Sequence, residues 1–217
     1  MDADHHRRGS AATCPFAALR DCDHTMTSLL VLCFLALQAA FIWARYAVFR
    51  IDGSAPAAVR FIEASATACI VAGTWLMWQR TDSSMAQDLL ALALAACSAA
   101  TFTWAARSIR PRQLTAAFSS DAPTELLQRG AFGVVRNPFY LAYMLAFAVP
   151  AVATWSWLSL MPAAWMAGIY LRAVMLEEHK FLAGPLAGEY SRYCARTGRF
   201  LPHIRGLTHV IGARHGR

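Results

Sequence analysis

Two groups of polar residues stand directly beside apolar segments in the C-terminal half of the sequence. The first is Arg-Asn-Pro-x-Tyr, from Arg136 to Tyr140, and the second is the adjacent carboxylate pair Glu177 and Glu178. Carboxylates can hold a cationic ligand or accept a proton from a nucleophile, and an aromatic face also attracts a cation. Because unpaired charge is expensive at the edge of a membrane, these residues indicate a functional site there.

Each group also has a purely structural interpretation. The first can simply begin a helix, since Asn is a good N-cap and Pro is favoured at the first helical position, with Arg136 anchored at lipid phosphates. On a helix, Glu177 can pair with Lys180 three residues later. This interpretation leaves Glu178 without a partner.

The composition is that of an integral membrane protein. With 57% apolar and only 15% charged residues in 217, the chain is too apolar for a soluble domain of this size. The formal net charge of +7 comes largely from arginines at the ends of apolar runs, which is a topology signal and does not indicate a nucleic-acid partner. The six cysteines form no C-x-x-C pair, so we expect no disulfide framework and no metal site.

Several apolar segments approach the length of about 20 residues that crosses a bilayer. Three lie at 29–48, 61–78 and 89–106, and the stretch 138–176 is long enough for a hairpin that turns near residues 154–156. The sequence therefore predicts an all-α, multi-span membrane bundle of about five transmembrane helices, with a C-terminal helical hairpin.

The beginning of the chain differs from the rest in being polar. We expect a disordered tail at 1–25 and one membrane domain at 26–217, with Met26 as a second candidate start. A signal peptide is the alternative for the first apolar segment, because Leu-Ala-Leu-Gln-Ala-Ala resembles a cleavage site. The apolar run continues through Phe41 and Trp43, which favours a retained helix.

The distribution of arginine predicts the orientation. Arginines are concentrated in the loops between the first and second and between the third and fourth segments, and in the C-terminal tail. By the positive-inside rule these regions lie in the cytoplasm. We therefore expect a protein of the inner membrane whose C-terminal polar site faces the cytoplasm.

Four motifs resemble, in order and spacing, the isoprenylcysteine carboxyl methyltransferases and their relatives, the phospholipid N-methyltransferases. They read GAFGVVRNPFY from Gly130, EEHKFL from Glu177, AGEYSRY from Ala187 and RFLP from Arg199. The order and spacing together are specific, whereas any one motif alone is weak. The resemblance implies that residues 107–205 form the cofactor-binding and catalytic part.

The resemblance also implies an S-adenosyl-L-methionine-dependent methyltransferase without a Rossmann fold. The ammonium and sulfonium of that cofactor suit a carboxylate and aromatic faces. The catalytic candidates are Glu177, as a base for an amine acceptor, and Arg172. The implied cofactor-binding residues are Leu126, Leu127, Phe132, Asn137, Pro138, Phe139, Tyr140 and Glu178.

Two departures from the family pattern bear on the acceptor. The carboxyl methyltransferases usually have His where this chain has Asn137, and their substrate-orienting arginine maps to Val174. Arg172 is nearby but lies about 120° around a helix from the second glutamate. Arg110 or Arg112 of the long loop is an alternative replacement.

The expected acceptor is lipophilic and reaches the site laterally from the bilayer. An isoprenoid-like carboxylate is preferred, followed by a phospholipid amine and a small thiol. A catalytically degenerate membrane scaffold is the non-enzyme alternative, because a missing arginine is what loss of activity would look like. A transporter is disfavoured, since ionisable residues are almost absent from mid-membrane positions.

Overall fold

The computed structural model describes residues 15–48, 57–82, 84–109 and 125–203. These form helices and turns, and the described part of the chain contains no β-strand. A short 3₁₀ turn, Gly130–Gly133, precedes the fourth helix. The helices are α1 (Pro15–Val48), α2 (Ala57–Trp78), α3 (Met85–Ser108), α4 (Pro138–Thr154), α5 (Trp157–Ala183) and α6 (Ala187–Arg196). The predicted all-α architecture is confirmed.

Four helical segments are long and apolar enough to cross a membrane. They are His24–Ala44 of α1 and the whole of α2, α3 and α5. The fifth expected span, α4, is an apolar helix of 17 residues, which is at the lower limit of about 17 residues for a span. The chain is therefore a helical membrane bundle with four clear candidate spans and one shorter helix.

The N-terminal boundary differs from the expected one. Helix α1 begins at Pro15, so residues 15–25 of the expected disordered tail continue the first span as helix. Residues 1–14 lie outside the described residues, as do Arg110 and Arg112.

Short polar residues define the helix boundaries of the hairpin. Helix α4 ends at a left-handed residue, Trp155, with φ of 50°, and Ser156 caps α5 by accepting a hydrogen bond from the backbone N–H of Leu158 at 3.3 Å. The predicted turn near residues 154–156 is confirmed. Pro138 occupies the first turn of α4, where its missing N–H costs nothing.

Helix α4 is the centre of the packing, because it contacts α1, α2, α3 and α5. The Cα of Gly73 in α2 faces the ring of Pro150 in α4, and a Cβ there would lie 2.9 Å from the ring Cγ. Small residues of this kind let membrane helices approach closely. The largest buried side chains of the central cluster are Leu30, Phe34, Met77 and Val149.

A buried ion pair ties together the end of the bundle at which α4 stops. Arg80 and Asp88 are 2.6 Å apart, with side chains only 4% and 3% exposed. Arg80 also donates to Thr27 Oγ1 at 2.9 Å and to the carbonyl of Ala153 at 3.1 Å, and Gln87 donates to the same carbonyl. The cluster thus joins α1, α3 and the C-terminal end of α4.

The length of α5 determines the depth of its acidic residues. Exposed Trp78, Trp155 and Trp157 lie at the Arg80 end of the bundle, where aromatic residues favour a membrane interface. Helix α5 has 27 residues. At about 1.5 Å per residue it is about 40 Å long, which exceeds a hydrocarbon core of about 30 Å. Its last turns, with Glu177 and Glu178, therefore reach the opposite interface.

Candidate active site

Two distant stretches of backbone pair at the end of the bundle opposite Arg80. The N–H of Arg136 donates to the carbonyl of Gly198 at 2.8 Å, and the N–H of Asn137 donates to the carbonyl of Arg199 at 3.2 Å. Val135 and Gly198 form an isolated parallel bridge. This pairing brings the RNP motif and the RFLP motif side by side.

Glu178 joins these two motifs to α5. Its Oε1 accepts hydrogen bonds from Arg136 Nε and from Asn137 Nδ2, both at 3.2 Å. Arg199 donates to Oε2 through Nη2 at 2.6 Å and through Nε at 3.1 Å. The carboxylate is only 9% exposed, so its charge depends on these donors. We call the cluster of Arg136, Asn137, Glu178 and Arg199 the glutamate hub.

Arg136 belongs to the protein interior and not to the lipid phosphates. Its side chain is 11% exposed. Besides Glu178, its Nη1 donates to the carbonyl of Cys194 at 3.3 Å and to that of Thr197. Both carbonyls are at the C-terminal end of α6, where a cation is favoured by the helix dipole. Arg136 therefore fixes α6 against the start of α4.

The neighbouring glutamate has a different environment. Tyr140 donates its hydroxyl to Glu177 Oε1 at 2.6 Å. The ring of Tyr140 lies 5.8 Å from that of Tyr170 and 6.5 Å from that of Tyr143. The first glutamate thus faces a tyrosine cluster, whereas the second faces guanidinium groups.

A row of aromatic rings continues from the tyrosines toward the 3₁₀ turn. Phe132 and Phe139 lie 6.2 Å apart, and Phe139 lies 5.3 Å from Phe102 of α3. The edge-to-face angles of 66° and 69° are favourable for such pairs. Flat apolar faces therefore extend from the tyrosine cluster to the 3₁₀ turn.

Helix α6 holds the Phe132 segment in place. Tyr193 donates its hydroxyl to the carbonyl of Phe132 at 2.6 Å. Burial raises the pKa of Tyr193 above its usual value, so the hydroxyl stays protonated as a donor. On the same helix, Tyr190 stacks on Phe181 of α5 with ring centres 4.8 Å apart. The two tyrosines of the AGEYSRY motif thus position the site from the end of the bundle opposite Arg80.

The 3₁₀ turn is fixed by a glycine that no other residue can easily replace. Gly130 has a φ of +60°, and a Cβ there would lie 2.1 Å from Ser108 Oγ. Ser108 in turn accepts a hydrogen bond from the N–H of Ala131 at 3.0 Å. The end of α3 therefore determines where the motif segment begins.

The structure brings together most of the residues that the sequence indicates. Glu177 contacts Tyr140, Glu178 contacts Asn137, and Phe132 contacts Phe139. Pro138 is buried, and Leu126 and Leu127 are half-buried in the segment before the 3₁₀ turn. The paired polar and aromatic residues lie together at one end of the bundle.

Arg172 stands apart from this surface. It is exposed on α5 and forms no ion pair or hydrogen bond with any described residue. Val174, at the position of the family's substrate arginine, is fully buried and lies one turn before Glu178. The face of α5 that carries the hub is therefore apolar where a carboxylate-binding arginine would be needed.

Sequence reasoning did not assign Arg136, Tyr193 and Arg199 to the site. All three stand within the quoted motifs, but the site partners to which they donate hydrogen bonds lie 21 to 61 residues away in the sequence. The signal that could have found the arginines is Glu178 itself. A carboxylate at a membrane exit with no cation three or four residues away needs a cation from elsewhere in the chain.

A cleft of about 420 Å³ opens beside the 3₁₀ turn, and its lining consists of Trp104, Arg107, Ser108, Arg129 and Gly130. The cleft touches the GAFGVVRNPFY motif at Gly130 only, and neither glutamate lines it. We therefore place the site by the converging polar and aromatic side chains around Glu177 and Glu178.

Comparison with known proteins gives a match to part of the chain. The family model described as phospholipid methyltransferase matches residues 86–186, from the start of α3 to the turn before α6. The match includes the RNP motif and both glutamates. No curated protein gives a significant match to the chain. Residues 86–186 therefore form a phospholipid methyltransferase domain, within the group that also includes the isoprenylcysteine carboxyl methyltransferases.

Proposed function

We propose that the protein is an S-adenosyl-L-methionine-dependent methyltransferase of the cytoplasmic membrane that acts on a lipophilic amine from the cytoplasmic side. The observation that carries this proposal is the glutamate hub, in which one carboxylate holds three motifs together beside an aromatic surface. The family match supports the reaction type. The charge distribution of the loops supports the orientation.

The residues present suit the cofactor. Phe132, Phe139 and Tyr140 offer flat faces for a purine ring and for a sulfonium. Leu126, Leu127 and Pro138 supply apolar contacts, and Asn137 and Glu178 supply the polar rim. When bound, the cofactor supplies a methyl group on a positively charged sulfur. The protein has to orient the acceptor in line with that methyl group and exclude water.

An amine acceptor fits the site better than a carboxylate does. Glu177 and the surrounding tyrosines attract a cation, whereas Val174 and the exposed Arg172 provide no anchor for an anion. An amine must also lose a proton during methylation, and Glu177 is positioned to accept it. The hydrogen bond from Tyr140 holds the Glu177 carboxylate in one orientation for this step. The expected order of acceptors therefore changes, with the amine placed before the carboxylate and the thiol.

Binding of S-adenosyl-L-methionine to the detergent-purified protein, measured by calorimetry, tests the proposal. The wild type should bind, and Glu178→Ala and Asn137→Ala should bind at least tenfold more weakly. Arg172→Ala is the matched control, because that side chain makes no contact with the hub, and it should bind as the wild type does. No binding by a folded wild type would overturn the proposal in favour of a degenerate scaffold.

Transfer of a labelled methyl group then identifies the acceptor class. Lipid extracts fractionated into amino-phospholipids, isoprenoid carboxylates and thiols are incubated with the wild type and with Glu177→Gln. Label in the amine fraction that depends on Glu177 supports the assignment. Label in the carboxylate or thiol fraction that is unaffected by Glu177→Gln would contradict it.

A further inference from the structure

The glutamate hub carries more positive than negative charge. Glu178 is its one carboxylate, and Arg136 and Arg199 are its two guanidinium groups. A single glutamate surrounded in this way has little capacity left to attract an ammonium. The electrostatic preference of the hub is therefore for an anion.

Each arginine of the hub keeps a free donor. Arg136 uses Nε and Nη1, and Arg199 uses Nε and Nη2. Within the described residues, Nη2 of Arg136 and Nη1 of Arg199 donate no hydrogen bond. The side chain of Arg199 is 41% exposed, so its free edge can be reached by a ligand.

The two adjacent glutamates therefore have opposite roles toward a ligand. Glu177 accepts a hydrogen bond from the neutral Tyr140 and receives none from a guanidinium among the described residues. Its carboxylate is left for a cationic group of a ligand, whereas the charge of Glu178 is more than balanced. One face of the site prefers a cationic group and the other prefers a carboxylate.

We infer that Arg136 and Arg199 bind the carboxylate at the amino-acid end of the cofactor, with Glu178 as the residue that positions both guanidinium groups. This inference rests on the proposed function. The carboxylate at the cofactor's amino-acid end suits the guanidinium face, which leaves Glu177 to the acceptor amine. Glu178 then acts on binding through the arginines and makes no contact with the ammonium.

Decarboxylated S-adenosylmethionine tests this assignment, because it lacks the carboxylate and keeps the ammonium and sulfonium. Calorimetry compares the two ligands on wild type, Arg199→Gln and the matched control Arg196→Gln. Arg196 is an exposed arginine of α6 whose partners among the described residues are Gln128 and the carbonyl of Arg192. The wild type should prefer the complete cofactor by about ten- to a hundredfold, the range for hydrogen bonds between charged groups. Arg199→Gln should reduce this preference at least fivefold by weakening the complete cofactor alone. Arg196→Gln should keep it.

Equal affinity of the wild type for both ligands would overturn the inference while leaving the proposed function intact. An equal loss for both ligands in Arg199→Gln would do the same, since it would mean that the arginine only supports the fold. If the folded wild type binds neither ligand, the proposed function fails and the inference fails with it. Because each comparison uses two ligands on one variant, partial unfolding changes both affinities and not their ratio.

Discussion

The guanidinium of Arg199 lies against both carboxylate oxygens of Glu178, with Nη2 2.6 Å from Oε2 and Nε 3.2 Å from Oε1. Glu178 is in the last turns of α5, and Arg199 follows α6. The hydrogen bond raises the pKa of Arg199 above its usual value, so the guanidinium stays charged at every working pH. This contact fixes the segment after α6 to the end of a membrane-spanning helix.

Replacing Glu178 by Ala should destabilise the protein strongly. The change leaves two guanidinium groups without their counter-charge, one of them almost buried. Loss of one partner of a buried pair costs about 3–5 kcal/mol, and we expect the lower end because Arg199 is partly exposed. Thermal unfolding in detergent measures the effect. The control is Glu189→Ala, which removes one hydrogen bond donated by Gln128. Its free energy of unfolding should fall by less than about 1.5 kcal/mol. Equal losses in the two variants would contradict the hub.

Tyr140→Phe should show how much the orientation of the Glu177 carboxylate contributes to the rate, because the packing of the ring is kept. The variant keeps the ring but removes the 2.6 Å hydrogen bond to Glu177, which leaves that carboxylate free to rotate. We expect kcat for methyl transfer to fall about ten- to a hundredfold, as for a misplaced catalytic group, with KM for the cofactor little changed. Single-turnover transfer of labelled methyl gives the rate. Tyr170→Phe, which removes a hydroxyl without a hydrogen-bond partner among the described residues, is the control and should leave kcat unchanged.

The spans and the hairpin turn could be predicted from the sequence for a physical reason. In lipid every backbone N–H and C=O must be satisfied within its own helix, so each crossing needs a long apolar segment that hydropathy detects. The turn at Trp155 and Ser156 is visible because polar residues interrupt such a run. The start of α1 at Pro15 was not visible, because the residues before Thr25 are polar and have no apolar period.

The hub could be predicted only in part. Asn137, Tyr140 and both glutamates belong to recognisable motifs. The guanidinium partners of Glu178, however, lie 42 residues before it, at Arg136, and 21 residues after it, at Arg199. Helical periodicity describes neighbours three and four residues away and contains no information on such contacts. Helical phase did predict that Arg172 points away from Glu178, because that follows from residues on one helix.

Asp88→Ala should destabilise the bundle without affecting the site. It leaves Arg80 buried without its counter-ion. The hydrogen bonds by which Arg80 joins α1 and the end of α4 then lose their link to α3. We expect the free energy of unfolding, measured by thermal unfolding, to fall by about 3–5 kcal/mol. The cofactor affinity of the fraction that stays folded should be unchanged. Asp82→Ala, in the loop before α3, is the control, since Asp82 is exposed and among the described residues accepts one long hydrogen bond, from Thr81. That substitution should change the free energy of unfolding by no more than about 0.5 kcal/mol.

Gly130→Ala should show whether the approach of the motif segment to α3 is required. Alanine at a φ of +60° costs about 1–2 kcal/mol by itself, and its Cβ would displace Ser108, which holds the N–H of Ala131. We therefore expect a lower unfolding temperature and at least tenfold weaker cofactor binding, because Phe132 moves with the turn. Gly168→Ala is the matched control, since no atom lies within 4 Å of the added Cβ on α5, and alanine there should stabilise the helix by up to about 1 kcal/mol. If Gly130→Ala instead bound the cofactor as the wild type does, the position of the 3₁₀ turn would not matter to the site, and Phe132 would lose its assigned role.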